Sequence, residues 1–323
     1  MTRIIISLVL LAAGAFGAGF PPDLPAAAFW GRPVSWSGVR DIVPGVVGFE
    51  PGASELFLRP ARLGFIGRGG FEVGGGSRIM SEQRTRLVYD QFENAIGEIV
   101  VADNLSGSWY AGPAAVAYRV AEPVLVAAGI RPVTDYKYDY YKEYRDDFYV
   151  VIGTDRVEAE GLLYEASVGT AVRPVSWLAL GVSGGYRFGS RRVRVETMRV
   201  GDSTALYEEG GRPRGIGFAA GLAVEPLAGL RLDAGFDGGT RLDEWRSAAG
   251  EDAALERNQP WQARVGVAWF AAGVLPSRVS AEAGYVGWTG VDSVWSNVLT
   301  VRGGVEHSFV NGLRLSYGAG VEP

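Results

Sequence analysis

Apolar residues fall on every second position through most of this chain. From Gly215 to Asp237, Ile216, Phe218, Ala220, Leu222 and Val224 alternate with Gly215, Gly217, Ala219, Gly221 and Ala223. The segment Glu225-Pro226-Leu227-Ala228-Gly229 then turns the chain, and Leu230, Leu232, Ala234 and Phe236 alternate with Arg231, Asp233, Gly235 and Asp237. Period two predicts β-strands. Two strands of about ten residues joined tightly, with one apolar face and one small or charged face, form the repeating unit of a membrane-spanning barrel.

Four further hairpins repeat the pattern. One pairs the strand bearing Tyr164, Ala166, Val168, Thr170 and Val172 with the strand from Leu178 to Phe188. A second joins Trp261–Trp269 to Val279–Tyr285 through Leu275-Pro276-Ser277, and a third turns at Val310-Asn311-Gly312, an Asn-Gly hairpin signal. The least regular runs from Ala111 to Ile130 through Glu122-Pro123. An arginine facing lipid near mid-bilayer costs roughly 2–4 kcal/mol. Arg187, Arg231, Arg264, Arg302 and Arg314 share the glycine-rich parity, as do Glu282 and Glu306, so that face is the lumen. Trp177, Tyr186, Trp261, Trp269, Tyr285, Trp288 and Tyr317 sit on the other face towards strand ends, where interfacial girdles belong. A soluble β-sandwich has the same period, but a face made mostly of Gly and Ala covers a water-exposed surface poorly.

Connections alternate in length. Turns near 122–123, 173–176, 225–229, 273–277 and 310–312 are short; those near 90–108, 132–160, 189–214 and 238–259 read as long polar loops, placing the short ones in the periplasm. Between Thr134 and Gly153, Tyr136, Tyr138, Tyr140, Tyr141, Tyr144, Phe148 and Tyr149 stand among Lys137, Lys142, Arg145 and aspartates. They read as a solvated hairpin tip with girdle tyrosines, ahead of a ligand-capturing mouth. With a first strand from Gly69 to Tyr89, these hairpins give about eleven strands, an odd count for a single-chain barrel. Either a strand lies beyond Pro323 or one is hidden in residues 34–66; the first reading is favoured.

Upstream, Arg3 and the apolar run Ile4–Ala13 precede small residues, predicting a signal peptide over 1–17. Residues 18–66 do not alternate. They hold Pro21, Pro22, Pro25, Pro33, Pro44, Pro51 and Pro60 beside Phe29, Trp30, Trp36, Phe49, Phe57 and Phe65, too apolar for a free linker and too broken for strands. Such a segment ahead of a barrel over 67–323 predicts a plug in the lumen. Within it, Gly52-Ala53-Ser54-Glu55-Leu56-Phe57-Leu58-Arg59-Pro60-Ala61-Arg62-Leu63 resembles the Gly-Ala-Ser-Ala-x-x-x-Asn-Pro-Ala-x-Leu stretch in the N-terminal hatch of the FadL/TodX family of outer-membrane long-chain fatty acid and hydrocarbon transporters. Leu299–His307 and Leu313–Gly318 are similar to that family's late strands, with Arg59 where the family has Asn and His307 where it usually has Tyr. The resemblance implies a barrel of about 14 strands, plugged by its hatch, from which an apolar ligand leaves sideways through a gap at a kinked strand.

The expected fold is therefore all-β: a transmembrane antiparallel β-barrel of about 12–14 strands with an N-terminal plug, sited in the bacterial outer membrane. Composition agrees: 323 residues with Gly 47, no cysteine, aromatics 11%, net charge −5 and mean hydropathy +0.08. Without cysteine there are no disulfides or thiolate metal sites, and without a basic stripe nucleic acid is not a partner. The expected partners are outer-membrane lipid, a hydrophobic small molecule and the barrel-assembly machinery. Catalysis is not expected, because the single histidine, His307, falls on the lipid-facing parity with Val305 and Phe309. No cofactor or metal is expected: Asp237, Asp243, Glu244, Glu251 and Asp252 match no calcium loop and read as a solvated acidic loop. The expected function is passive uptake of hydrophobic, fatty-acid-like compounds, with Phe49, Phe57, Phe65, Phe71 and Phe92 as candidate pocket residues and Arg59, Pro60 and Ala61 as the hatch motif. A general diffusion porin, or a non-transporting barrel of this type serving a secretion or surface machine, are the alternatives.

Overall fold

A computed structural model describes residues 31–34, 51–89, 92, 94–146, 148–202, 204–248, 254–271, 276–290, 296–309 and 314–321. The signal segment, Phe49, Glu251, Asp252 and the Asn311-Gly312 turn lie outside the described residues. In chain order the elements are β1 (Arg32–Pro33), two 3-10 helices (Ala53–Phe57 and Pro60–Phe65), β2 (Gly69–Tyr89), β3 (Ala95–Ala121), β4 (Val124–Asp135), β5 (Tyr138–Arg145), β6 (Val151–Val175), β7 (Leu178–Arg199) and β8 (Ala205–Leu227). There follow β9 (Leu230–Asp237), β10 (Thr240–Ala248), β11 (Ala254–Gln259), β12 (Trp261–Ala271), β13 (Ser277–Gly287), a short 3-10 turn (Trp288–Gly290), β14 (Val298–Ser308) and β15 (Arg314–Val321). All strands belong to one antiparallel sheet.

Three passes across this sheet are interrupted. β4 and β5 both pair with β6, β9 and β10 both pair with β8, and β11 and β12 pair with β10 and β9 in turn. The breaks follow from local chemistry. Pro260 removes a ladder donor between β11 and β12, and facing it Gly239 adopts φ +74, where an added Cβ would lie 2.6 Å from the Gln259 carbonyl. Counting each interrupted pair as one, the fourteen strands β2–β15 make eleven passes among the described residues. The described part of 34–66 adds no further pass, since residues 53–65 are 3-10 helix.

The two faces of the sheet separate by parity. Val168, Val182, Ile216, Phe218, Val265 and Val301 are 53–78% exposed, whereas Ala171, Ala179, Ala219, Ala223, Arg187 and Arg231 on the other face are buried. In water so much exposed apolar surface would be unstable; in lipid it is the required outer coat. Aromatic rings gather in two belts. Ring contacts link Tyr164, Phe188 and Tyr186, and then Phe218, Phe236, Trp261 and Tyr285, at centroid spacings of 5.2–6.4 Å. Trp177, Trp269 and Tyr317 are exposed near the opposite strand ends. From Trp261 to Trp269 the strand rises roughly 26 Å, about 20 Å of height after tilt, which suits the apolar band of an outer-membrane barrel.

Strands replace the long loops expected over 90–108, 132–160, 189–214 and 238–259. β3 begins at Ala95, β5 and β6 cover most of 138–175, and β7, β8, β10 and β11 run well past the upper belt. Beyond the membrane the outer face meets water, so the outward apolar positions that mark a membrane strand give way to charged ones, while Val157, Ala159 and Val193 stay buried on the inner face. Charge alternation marks the outer face instead: Arg156 lies 3.9 Å from Asp139, and Arg192 lies 3.6 Å from Glu160 and 3.4 Å from Glu208. Exposed cross-strand pairs contribute about 0.2–1 kcal/mol each, enough to favour a register.

The first two 3-10 helices pack on the inner face. Pro60 opens the second, where its missing N–H has no ladder to break. Leu56, Phe57, Leu58 and Leu63 pack with Ala115, Ala117, Leu125, Ala127 and Ala171 of the wall. The wall is glycine where the backbones meet: a Cβ at Gly181 would collide with the Pro60–Ala61 backbone, and one at Gly235 would lie 2.5 Å from the Leu58 carbonyl.

Candidate transport path

Three layers line the inside of the sheet, beginning with the helices of residues 53–65. Arg59 is 2% exposed, with Nη1 2.8 Å from Glu282 Oε2 on β13 and Nε 3.0 Å from Glu55 Oε2. Arg62 Nη1 lies 3.1 Å from the other Glu55 oxygen. These contacts answer the departure at Arg59 from the resembling motif: a guanidinium there is matched by carboxylates at 55 and 282. Pro60 and Ala61 are buried against the wall at Gly181 and Gly221. Phe57 lies under the Arg131 guanidinium, and Phe65 is approached by those of Arg173 and Arg231 at 4.8 and 4.6 Å, each a cation–π contact.

A neutral ionic layer comes next. Glu165 accepts from Arg131 Nη2 at 3.1 Å, from Arg187 Nε at 2.8 Å and from the Ser167 hydroxyl at 2.6 Å. Arg187 Nη2 also donates to Asp237 at 3.1 Å and its Nη1 to Gln259, whose amide reaches Thr134 Oγ1 at 3.0 Å. The Gly239 N–H completes Asp237, and Arg131 lies 3.7 Å from it. Two cations thus meet two anions, all below 8% exposure, and such a paired buried network favours one geometry. Asp237, assigned by sequence to an acidic loop, belongs to this layer at the end of β9; Asp243 is exposed on β10.

Above lies an apolar column. Tyr136, Leu163 and Leu242 pack together with Val133, and beyond them Tyr138, Tyr140, Val157, Ala159, Val193 and Ala102 pack with Met80 and Val195. Tyr136, Tyr138 and Tyr140 are 3%, 2% and 0% exposed, so they are neither girdle residues nor a solvated tip. Arg32 and Arg84 lie over the rings of Tyr138 and Tyr140, and the Tyr138 hydroxyl donates to Glu82 at 2.6 Å. At the outer rim, burial raises the Asp155 carboxyl, but hydrogen bonds from Arg199 and Tyr144 outweigh it and hold Asp155 below the usual carboxylate range.

The wall is interrupted beside this column. β3 pairs with β4 only through Ala114–Ala121, and pairs again with β5 at Ala102–Asn104. Between these stretches Leu105–Pro113 has no β4 partner. Pro132 and Pro113 lack ladder donors, and a register shift falls between Pro132 and Thr134. β1 enters this window: Arg32 and Pro33 pair with Asp135 and Thr134, and the Val34 N–H reaches the Val133 carbonyl at 2.8 Å. Ser108 donates across it to Asp135.

Three solved structures share this architecture. The toluene transporter TbuX of Ralstonia pickettii aligns with a TM-score of 0.57 at 15% identity, over 88% of this chain and 86% of its own. The toluene transporter TodX of Pseudomonas putida aligns at 0.56 and 14%, over 92% and 82%. A Pseudomonas aeruginosa FadL homologue gives 0.56 and 12%, over 92% and 79%. The chain has the FadL/TodX fold. That fold is an outer-membrane β-barrel. No protein-family model and no curated protein sequence matches the chain.

Within this fold the sequence-chosen residues separate. Phe57 is buried and Phe65 half-buried in the helical layer, but Phe71 and Phe92 are 80% and 74% exposed, which removes both from an interior pocket. Phe71 lies on β2 opposite Val116 on the lipid side, while its neighbour Glu72 points inward and accepts from the Ser54 N–H at 2.8 Å. Strand parity carried that signal, since Phe71 and Glu72 cannot share a face. Among the wall charges, Arg231 lies 3.6 Å from Glu225, Arg264 3.9 Å from Glu282, and Glu306 2.8 Å from Arg278. Arg302 is half-buried in register with Glu282, and the Arg314 side chain lies outside the described ones. His307 bonds Ser277 Oγ through Nδ1 at 2.8 Å and Tyr317 Oη through Nε2 at 3.1 Å, at the Trp269 end of the sheet.

Proposed function

We propose that this chain is an outer-membrane transporter that takes up hydrophobic compounds passively, without enzymatic activity. The apolar column of Tyr136, Tyr138, Tyr140, Leu163 and Leu242 carries the reading, because it is an apolar stretch of the interior beside the β3–β4 window. The ligand enters from the outer rim past the tyrosines. The neutral Arg131–Glu165–Arg187–Asp237 layer turns it aside, since an apolar molecule gains nothing by breaking paired buried charges. It leaves through the window into the membrane. Residues 18–66 act as the plug that denies ions a straight route.

Fold neighbours support this reading: TbuX and TodX are toluene transporters, and CymD, at a TM-score of 0.50, is a monoaromatic hydrocarbon channel. Long-chain fatty acids and monoaromatic hydrocarbons are the two ligand classes we propose. The test is uptake of radiolabelled oleate and of toluene by cells lacking their own transporters and expressing the full chain. Uptake of either above the empty-vector rate is expected, and Tyr136→Asp, which puts a charge in the column, should abolish it. Equal uptake with and without the protein would overturn the proposal.

A further inference from the structure

Among the described residues above the upper aromatic belt, the outer faces of β6 and β7 carry several ion pairs. Arg156, Arg192 and Arg194 each lie within 4 Å of a glutamate. Arg212 and Arg214, on the same outer face of β8, are exposed and have no carboxylate or carbonyl partner among the described residues, although Asp243 is the cross-strand neighbour of Arg214. Pro213 between them has no N–H to give. The β7–β8 ladder accordingly stops at Phe188↔Arg214 and resumes at Arg191↔Gly211. A hollow of about 440 Å³ opens at this break, floored by Leu162, Tyr164 and Phe188 and edged by the two arginines.

We infer that this hollow seats a phosphorylated lipid of the outer leaflet. The stacked rings of Tyr164 and Phe188 belong to the interfacial belt, so the guanidinia stand at headgroup height. Two arginines two positions apart on one strand project side by side, and each presents a donor fork matched to phosphate oxygens. Their charge is unspent, whereas that of Arg192 and Arg194 is already met by glutamate. Leu162, Tyr164 and Phe188 offer the apolar floor on which the lipid's acyl end lies, continuous with the lipid-facing wall below.

Native mass spectrometry of the purified full chain in detergent, titrated with bisphosphorylated lipid A, tests the inference. One lipid should be retained, and Arg212→Gln with Arg214→Gln should weaken retention about 30-fold, roughly fivefold per arginine. Arg192→Gln with Arg194→Gln should change it less than about twofold, because those side chains are already paired. The same lipid stripped of its phosphates should bind the unaltered protein no better than the glutamine variant binds lipid A. Equal retention of the stripped lipid, or equal losses from both double variants, would overturn the proposal. Heat-modifiable migration checks folding; should the double variant fail it, Arg214→Gln alone carries the test, with about a fivefold loss expected.

Discussion

Arg59 illustrates how single residues hold the interior together. A guanidinium at 2% exposure is tolerated because Glu55 and Glu282 meet it, one from its own helical segment and one from the wall. Removing one partner of such a pair costs about 3–5 kcal/mol, whereas replacing both by apolar residues is close to neutral. Glu282→Leu should therefore loosen residues 51–66, seen as new protease cleavage there, while Arg59→Met with Glu282→Leu restores protection. Cleavage that is the same in all three proteins would mean that the pair does not seat the segment. At this scale the sequence was only partly legible. The charges of the wall follow from parity and the lipid cost of arginine, but nearness to the hatch, which groups Phe71 and Phe92 with the pocket, says nothing about facing. Tyr136, Tyr138 and Tyr140 have the parity of an inner face, yet amid lysines and aspartates their alternation fits a wet tip equally well. Only their packing against Val157, Val193 and Leu242 decides between the two.

The strands themselves were legible wherever one face meets lipid, since that boundary imposes period two on the residues. All five hairpins on the short-turn side can be read that way, and their turn residues mark the ends. Above the upper belt the outward face is no longer apolar, so the alternation that marks a membrane strand does not identify β5, β10 and β11, and the sequence alone gives loops there. The rim depends on pH. Asp155 is held below its ordinary value, so its contribution is complete above the unfolded carboxylate value of about 3.9 and is lost as pH falls through the lowered one. Pepsin digestion between about pH 4 and pH 2 should thus show β5–β7 rim cleavage rising as pH falls in the unaltered chain. Asp155→Asn should abolish that pH dependence, and an unchanged profile in this variant would contradict the assignment. The β3–β4 window is a second element-scale device. The chain has no cysteine, so Ser108→Cys with Asp135→Cys joined by a short bis-methanethiosulfonate cross-linker staples the window alone. Uptake of hydrophobic ligand should then fall to background and recover on cleaving the reagent; unaffected uptake would show that ligand does not leave there.

On the scale of the whole molecule, one sheet supplies a lipid coat outside and a stratified interior inside. The helical segment packs its apolar residues against the wall, and the charges of the ionic layer are paired with one another. Under the proposed function, the tyrosine column and the β3–β4 window together form a lateral route for the ligand. In an open diffusion pore, by contrast, lumen charges would face water. The direct measurement is single-channel conductance of the refolded chain in a planar bilayer, intact and with residues 18–60 deleted. The account predicts little or no steady current from the intact, heat-modifiable protein and stable openings from the deleted one. A large steady conductance from the intact protein, unchanged by the deletion, would contradict it.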